Sequence, residues 1–184
     1  MGENSMTQAD EMKEQGVTLY SQHDYEAANR AFQQAKDFYQ GAGEYDMVAE
    51  MKVNIGLVHR ELGEAQQALE LMQEALRHFQ EKDDKMRTAA VLGNLGGVYN
   101  TLNDKEQAEL SYRQAANLFS EIGEMELYSD TLLALGRMQV GSGKFFAGAA
   151  TYQVALENRA NLTSTQKIIK SLSDFVNRLT GASS

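Results

Sequence analysis

Laid on itself at a shift of 40 residues, this 184-residue chain falls into register, and that repeat constrains its fold more than any other feature. Gly16, Gly56, Gly96 and Gly136 share one column; Ala35, Ala75, Ala115 and Ala155 share another. Ala28, Ala68, Ala108 and Gly148 fill a third, and Phe32, Met72, Tyr112 and Tyr152 a fourth. Two more columns hold Val58, Val98 and Met138, and Ile55, Leu95 and Leu135; repeat one breaks them with Thr18 and Gln15. Units that bury apolar surface only against their neighbours stack into a solenoid.

The columns read as helix. Ala68, Met72 and Ala75 stand at i, i+4 and i+7, one stripe of an α-helix. A glycine inside a helix costs ~0.5–1 kcal/mol relative to alanine, so four in register predict close approach of a packed helix. His23-Asp24, Gly63-Glu64, Asn103-Asp104 and Gly143-Lys144 split each unit in two, with Asp24 and Asp104 as N-caps. Gly43, Asp83-Asp84 and Gly123 separate the units. The expected helices are 7–22, 25–41, 45–62, 65–81, 85–102, 105–121, 125–142 and 145–161. Proline is absent, which suits a chain that is nearly all helix with tight turns. Ile168, Ile169, Leu172, Phe175, Val176 and Leu179 form a last apolar stripe behind Thr163-Ser164. They predict a ninth helix, at 165–179, that covers the exposed face of the fourth repeat. Residues 1–6 (an expression remnant or a frayed end) and 181–184 are expected outside the fold.

The order small, aromatic, small, large, small resembles the tetratricopeptide repeat, most clearly in GLVHRELGEAQQALELMQEAL and GGVYNTLNDKEQAELSYRQAA. The period is 40 instead of 34, and no proline closes the unit. With the Asn-aliphatic-Gly triplet of NIGLVHRELG and NLGGVYNTLN, it looks like the long-helix variety. That variety is found in the Leu-Gly-Asn polarity adaptor, kinesin light chain, rapsyn and bacterial Rap-type regulators. The resemblance covers residues 8–161. It implies an all-α, right-handed superhelical solenoid of four hairpins, at about 8–43, 44–83, 84–123 and 124–163, with a capping helix in 164–180.

The resemblance further implies that the first helix of each hairpin lines a concave, partner-binding groove. Its positions fall on Lys13, Val17 and Tyr20, then Glu50, Val53, Asn54, Leu57 and Arg60. Repeat three supplies Ala90, Gly93, Asn94, Gly97 and Asn100, and repeat four Asp130, Leu133, Ala134, Arg137 and Val140. Asn54 and Asn94 match the asparagine that bonds a ligand's backbone, an amide carrying both donors and an acceptor; the competing reading is that they bond a neighbouring helix. The family's clamp for chaperone C-terminal carboxylates is not expected. Lys13 and Asn54 match it, but Val17, Ala90 and Asn94 stand where an asparagine and two bases are needed.

Little else in the chain carries chemistry. There is no cysteine, and so no thiolate site. GNLGGVY is glycine-rich but lies within a helix, where it cannot form a phosphate loop. His23, His59 and His78 do not cluster, and His59 sits in the column of Tyr99, which predicts a packing role. Met72 and Met138 are core by column; packing is also expected of Met12, Met47, Met51, Met86 and Met125. Neither an enzyme, a cofactor nor a metal is expected. Net charge is -9, which argues against nucleic acid and anionic membranes. The charge is uneven, with ten acids and three bases in residues 1–50 but two acids and four bases in 151–184. No stretch reaches a membrane span, and the polar start lacks a signal sequence, so the cytoplasm is the expected compartment. The leading expectation is an adaptor that binds a peptide or helical segment of a protein partner. The second is a regulatory module in signalling or transcription control, homodimeric through its first repeat.

Overall fold

The computed structural model describes residues 2–158, 167 and 170. Eight α-helices occupy 2–158: α1 Gly2–Ser21, α2 Tyr25–Ala42, α3 Tyr45–Glu61, α4 Ala65–Glu81, α5 Lys85–Thr101, α6 Lys105–Glu121, α7 Met125–Gly141 and α8 Phe145–Glu157. No strand occurs among the described residues.

The connections obey one rule, which recurs every 20 residues. Each of α1 to α7 is followed by a turn residue with positive φ: His23 (63°), Gly43 (79°), Gly63 (81°), Asp83 (52°), Asn103 (62°), Gly123 (82°) and Gly143 (80°). The next residue's N–H then donates to the carbonyl five positions back, as Asp24 to Leu19, Glu64 to His59 and Lys144 to Gln139. This left-handed turn satisfies carbonyls that the ending helix leaves without a partner. Asp24, Asp84 and Asp104 then cap the following helices, accepting from the N–H of Ala27, Arg87 and Gln107. All seven turns fall where the sequence placed them.

Helices pair within hairpins as α1–α2, α3–α4, α5–α6 and α7–α8, and each hairpin packs on the next through α2–α3, α4–α5 and α6–α7. Contact between α3 and α5 puts first helices side by side. The result is an all-α solenoid of four hairpins. Its core is built from clusters that each reach across neighbouring helices, such as Phe32, Tyr39, Met51 and Ile55.

The register glycines mark the closest approaches within hairpins. A Cβ on Gly96 would stand 2.7 Å from the Tyr112 ring, one on Gly16 2.5 Å from Phe32 and one on Gly56 3.0 Å from Met72. The small and large columns therefore face each other, glycine on the first helix and a bulky side chain on the second.

Two expectations differ from the structure. Helix α1 begins at Gly2, so residues expected outside the fold continue it; nothing in their sequence, proline above all, stops a helix from running toward the N-terminus. Met86 and Met125, expected to pack, are 42% and 37% exposed, because they sit in the first turn of α5 and α7, at the rim of the stack. Of the predicted ninth helix only Lys167 and Lys170 are described, and the cap itself lies outside the described residues.

Candidate functional site

The expected groove residues lie on α1, α3, α5 and α7, and the helices bury them to different depths. Val53 and Leu57 are half-buried and lean on the core cluster of Met72, Phe79, Val91 and Leu95, so each offers a partner only part of its surface. Leu133 is buried in the cluster with Tyr112, Leu135 and Met138. At 9% exposed it has little surface left for contact. Ala90 and Arg137 are exposed, while Gly93, Asn94, Gly97 and Asn100 are half-buried.

Asn54 and Asn94 share one column on successive first helices, both half-buried. Neither side-chain amide has a hydrogen-bond partner among the described residues. The competing reading, a bond to a neighbouring helix, therefore lacks its bond. Lys13, the one base at a clamp position, lies 3.7 Å from the Glu50 carboxylate.

Gly97 opens a space between α3, α5 and α6. Its missing side chain leaves room for the Arg60 guanidinium, whose Nη1 lies 3.0 Å from the point where a Cβ would stand. The Tyr112 hydroxyl is 3.6 Å from that same point. Arg60 also donates to Glu61 Oε1 at 2.8 Å. Beside them opens a cavity of about 300 Å³ lined by Asn100, Lys105, Tyr112, Ala134, Arg137, Met138 and Gly141. Burial pushes the Tyr112 phenol above its ordinary pKa, against the pull of Arg60 and Arg137. Lys105 and Tyr112 went unnoticed in the sequence because they belong to a second helix, and only first helices were expected to face the partner. The one signal was that repeats three and four carry a hydroxyl in the bulky column, as Tyr112 and Tyr152.

The histidines stay apart. His59 is half-buried and bonds Glu64 at 2.5 Å, His78 bonds Asp46 at 2.7 Å, and His23 meets the Tyr25 hydroxyl at 2.8 Å. Among the described residues no group of three or more His, Asp or Glu could hold a metal ion. No described helix is long and apolar enough to cross a membrane.

Residues 47–121 match the tetratricopeptide repeat family. The matched stretch runs from the first turn of α3 to the last residue of α6, which is repeats two and three. The match places tetratricopeptide repeats in that stretch, and the hairpins on either side of it have the same form. The crystal structure of BtubC (BKLC) from P. vanneervenii is similar, with a TM-score of 0.73 and 24% identity over 83% of this chain. This chain spans 63% of the length of that one, and the likeness shows the fold. No curated protein matches the chain.

Proposed function

We propose that this tetratricopeptide-repeat solenoid is a non-catalytic scaffold or adaptor that holds a peptide or helical segment of a protein partner along α3, α5 and α7. The observation that carries this reading is the pair of half-buried amides, Asn54 and Asn94, left without a protein partner on adjacent first helices. An amide so placed can bracket a peptide unit whatever side chain follows it. The long-helix subtype of the repeat fits the 40-residue period and belongs to the same proposal.

The test couples affinity to folding. Partners are captured on the immobilised protein, and affinity and melting temperature are then measured together for each variant. A buried peptide group left unpaired costs ~1–3 kcal/mol, so Asn54→Ala with Asn94→Ala should weaken binding by ~2–5 kcal/mol. Gly97→Leu should block the groove. A double variant that melts far lower while its folded fraction binds normally would make the asparagines structural. Unchanged affinity of folded Gly97→Leu would move the site off the groove.

A second reading is a regulatory module that works as a homodimer; Phe145 and Phe146, 65% and 95% exposed at the start of α8, would put the contact on repeat four and not on repeat one, where it was expected. Sedimentation equilibrium reads it directly, and a monomer at every concentration removes the homodimer.

A further inference from the structure

The cavity between α5, α6 and α7 has an excess of hydrogen-bond donors. Lys105 Nζ donates to the Asn100 carbonyl at 3.2 Å and to its Oδ1 at 2.7 Å, which leaves one of its three donors over. Lys105 has no carboxylate partner among the described residues, and neither does Arg137. The Tyr112 hydroxyl likewise has no hydrogen-bond partner there, and Arg60 reaches the same point from repeat two across the gap at Gly97. An arginine carries five N–H donors and no acceptor, a lysine three, and a phenol at neutral pH donates one. What would complete such a set is a compact group made of acceptors and bearing negative charge.

The surroundings narrow the class. The chain carries 26 acids against 17 bases, so a polyanion is repelled by the molecule as a whole. A cleft lined by one sign of charge still focuses its field locally and attracts a single opposite charge. The volume, about 300 Å³, is at the lower end of the roughly 300–1,000 Å³ of small-molecule sites. It suits one side chain with some water.

We propose that this cavity is a subsite for one anionic side chain of the bound segment, a carboxylate or phosphoryl group, held by Arg137 and Lys105 with the Tyr112 hydroxyl as third donor. The proposal rests on the groove reading above and adds a charge requirement at one position of the partner.

A position-scanning library of 12-residue peptides, with and without phosphoserine, tests it against the full chain. The wild type should enrich aspartate, glutamate or phosphoserine at least tenfold at one position. Arg137→Gln with Lys105→Gln should bring that enrichment below twofold while preferences elsewhere persist. Arg137→Glu should turn the preference at that position toward lysine or arginine, a gain that misfolding cannot produce. Tyr112→Phe, which keeps the ring, should lower the enrichment two- to fivefold. A phosphoserine preference over glutamate assigns a phosphoryl group; parity or the reverse assigns a carboxylate. Peptide selection with no acidic preference, or with one that survives the double variant, overturns the subsite and leaves the groove standing. Selection of no peptide at all overturns both.

Discussion

Glycine has two opposite roles in this chain, and the difference can be measured. Gly96 is packed so closely on Tyr112 that a methyl group would collide with the ring. Gly41 and Gly141, near the ends of α2 and α7, have no positive φ and face open space, with nothing within 4 Å of where a methyl group would stand. Gly96→Ala is therefore expected to lower stability by ~1–3 kcal/mol, the usual range for overpacking, despite the better helix propensity of alanine. Gly41→Ala should instead raise stability by ~0.4–1 kcal/mol, because alanine narrows the unfolded ensemble. Denaturant titration of the two variants decides the matter: equal effects would mean that the repeat's glycines are not set by helix contact. Column matching gave the place of Gly96, because a glycine that recurs inside a helix at period 40 signals a neighbour packed against it. It could not give Arg60 beside Gly97, since that neighbour comes from another repeat and the space between them depends on how the hairpins stack.

At the scale of the element, Glu109 ties three helices together. Its carboxylate on α6 accepts from Arg113 at 2.8 Å, from Gln139 of α7 at 3.2 Å and from Lys144, just before α8, at 2.9 Å. Thr151 of α8 extends the network by donating to Gln139 Oε1. The hydrogen bonds from Lys144 and Arg113 hold the Glu109 carboxyl down at about 2, from an ordinary 4.5. A depressed carboxylate stabilises the fold in full above its unfolded value and ceases to do so as pH falls through the folded one. The loss should therefore run between pH 4.5 and about 2, and Glu109→Gln should flatten that part of the stability profile. At pH 7 the same variant should cost ~1–3 kcal/mol, the range for bonds to a charged group. Thermal melts of both proteins across that window are the check. The helix ends themselves were legible: turn residues with left-handed tolerance every 20 positions, followed by aspartate caps, are local chemistry. The Glu109 network was not, because nothing in a sequence says which glutamate of an exposed face meets a lysine 35 residues on.

At the scale of the molecule, the main contacts among the described residues run between each hairpin and its neighbours. Stability then approximates a sum of repeat and interface contributions, with no single cooperative core. Met72→Ala, at a fully buried position of α4, should cost ~2–5 kcal/mol. That loss should stay local: native-state hydrogen exchange should speed up most in α3 to α5 and least in α7 and α8. Uniform acceleration along the chain would mean that the molecule unfolds as one unit. The solenoid itself was readable from the repeat, since four units in one register must bury their apolar faces on one another. The proposed groove was readable only as a set of first helices. Which of their side chains remain exposed, Arg137 but not Leu133, depends on packing depth that the column alone does not carry.

The turn that recurs every 20 residues also bears on how such a protein lengthens. Gly63-Glu64 and Asn103-Asp104 share one backbone geometry, so excising residues 64–103 would join Gly63 to Asp104 through a junction of the same form. The 40 codons between two such junctions behave as a removable cassette whose loss or duplication changes the number of rungs without creating a new joint. Recognition length in this architecture is thus a quantity that recombination can adjust in whole steps, and the length of ligand an ancestor held need not be the length held now.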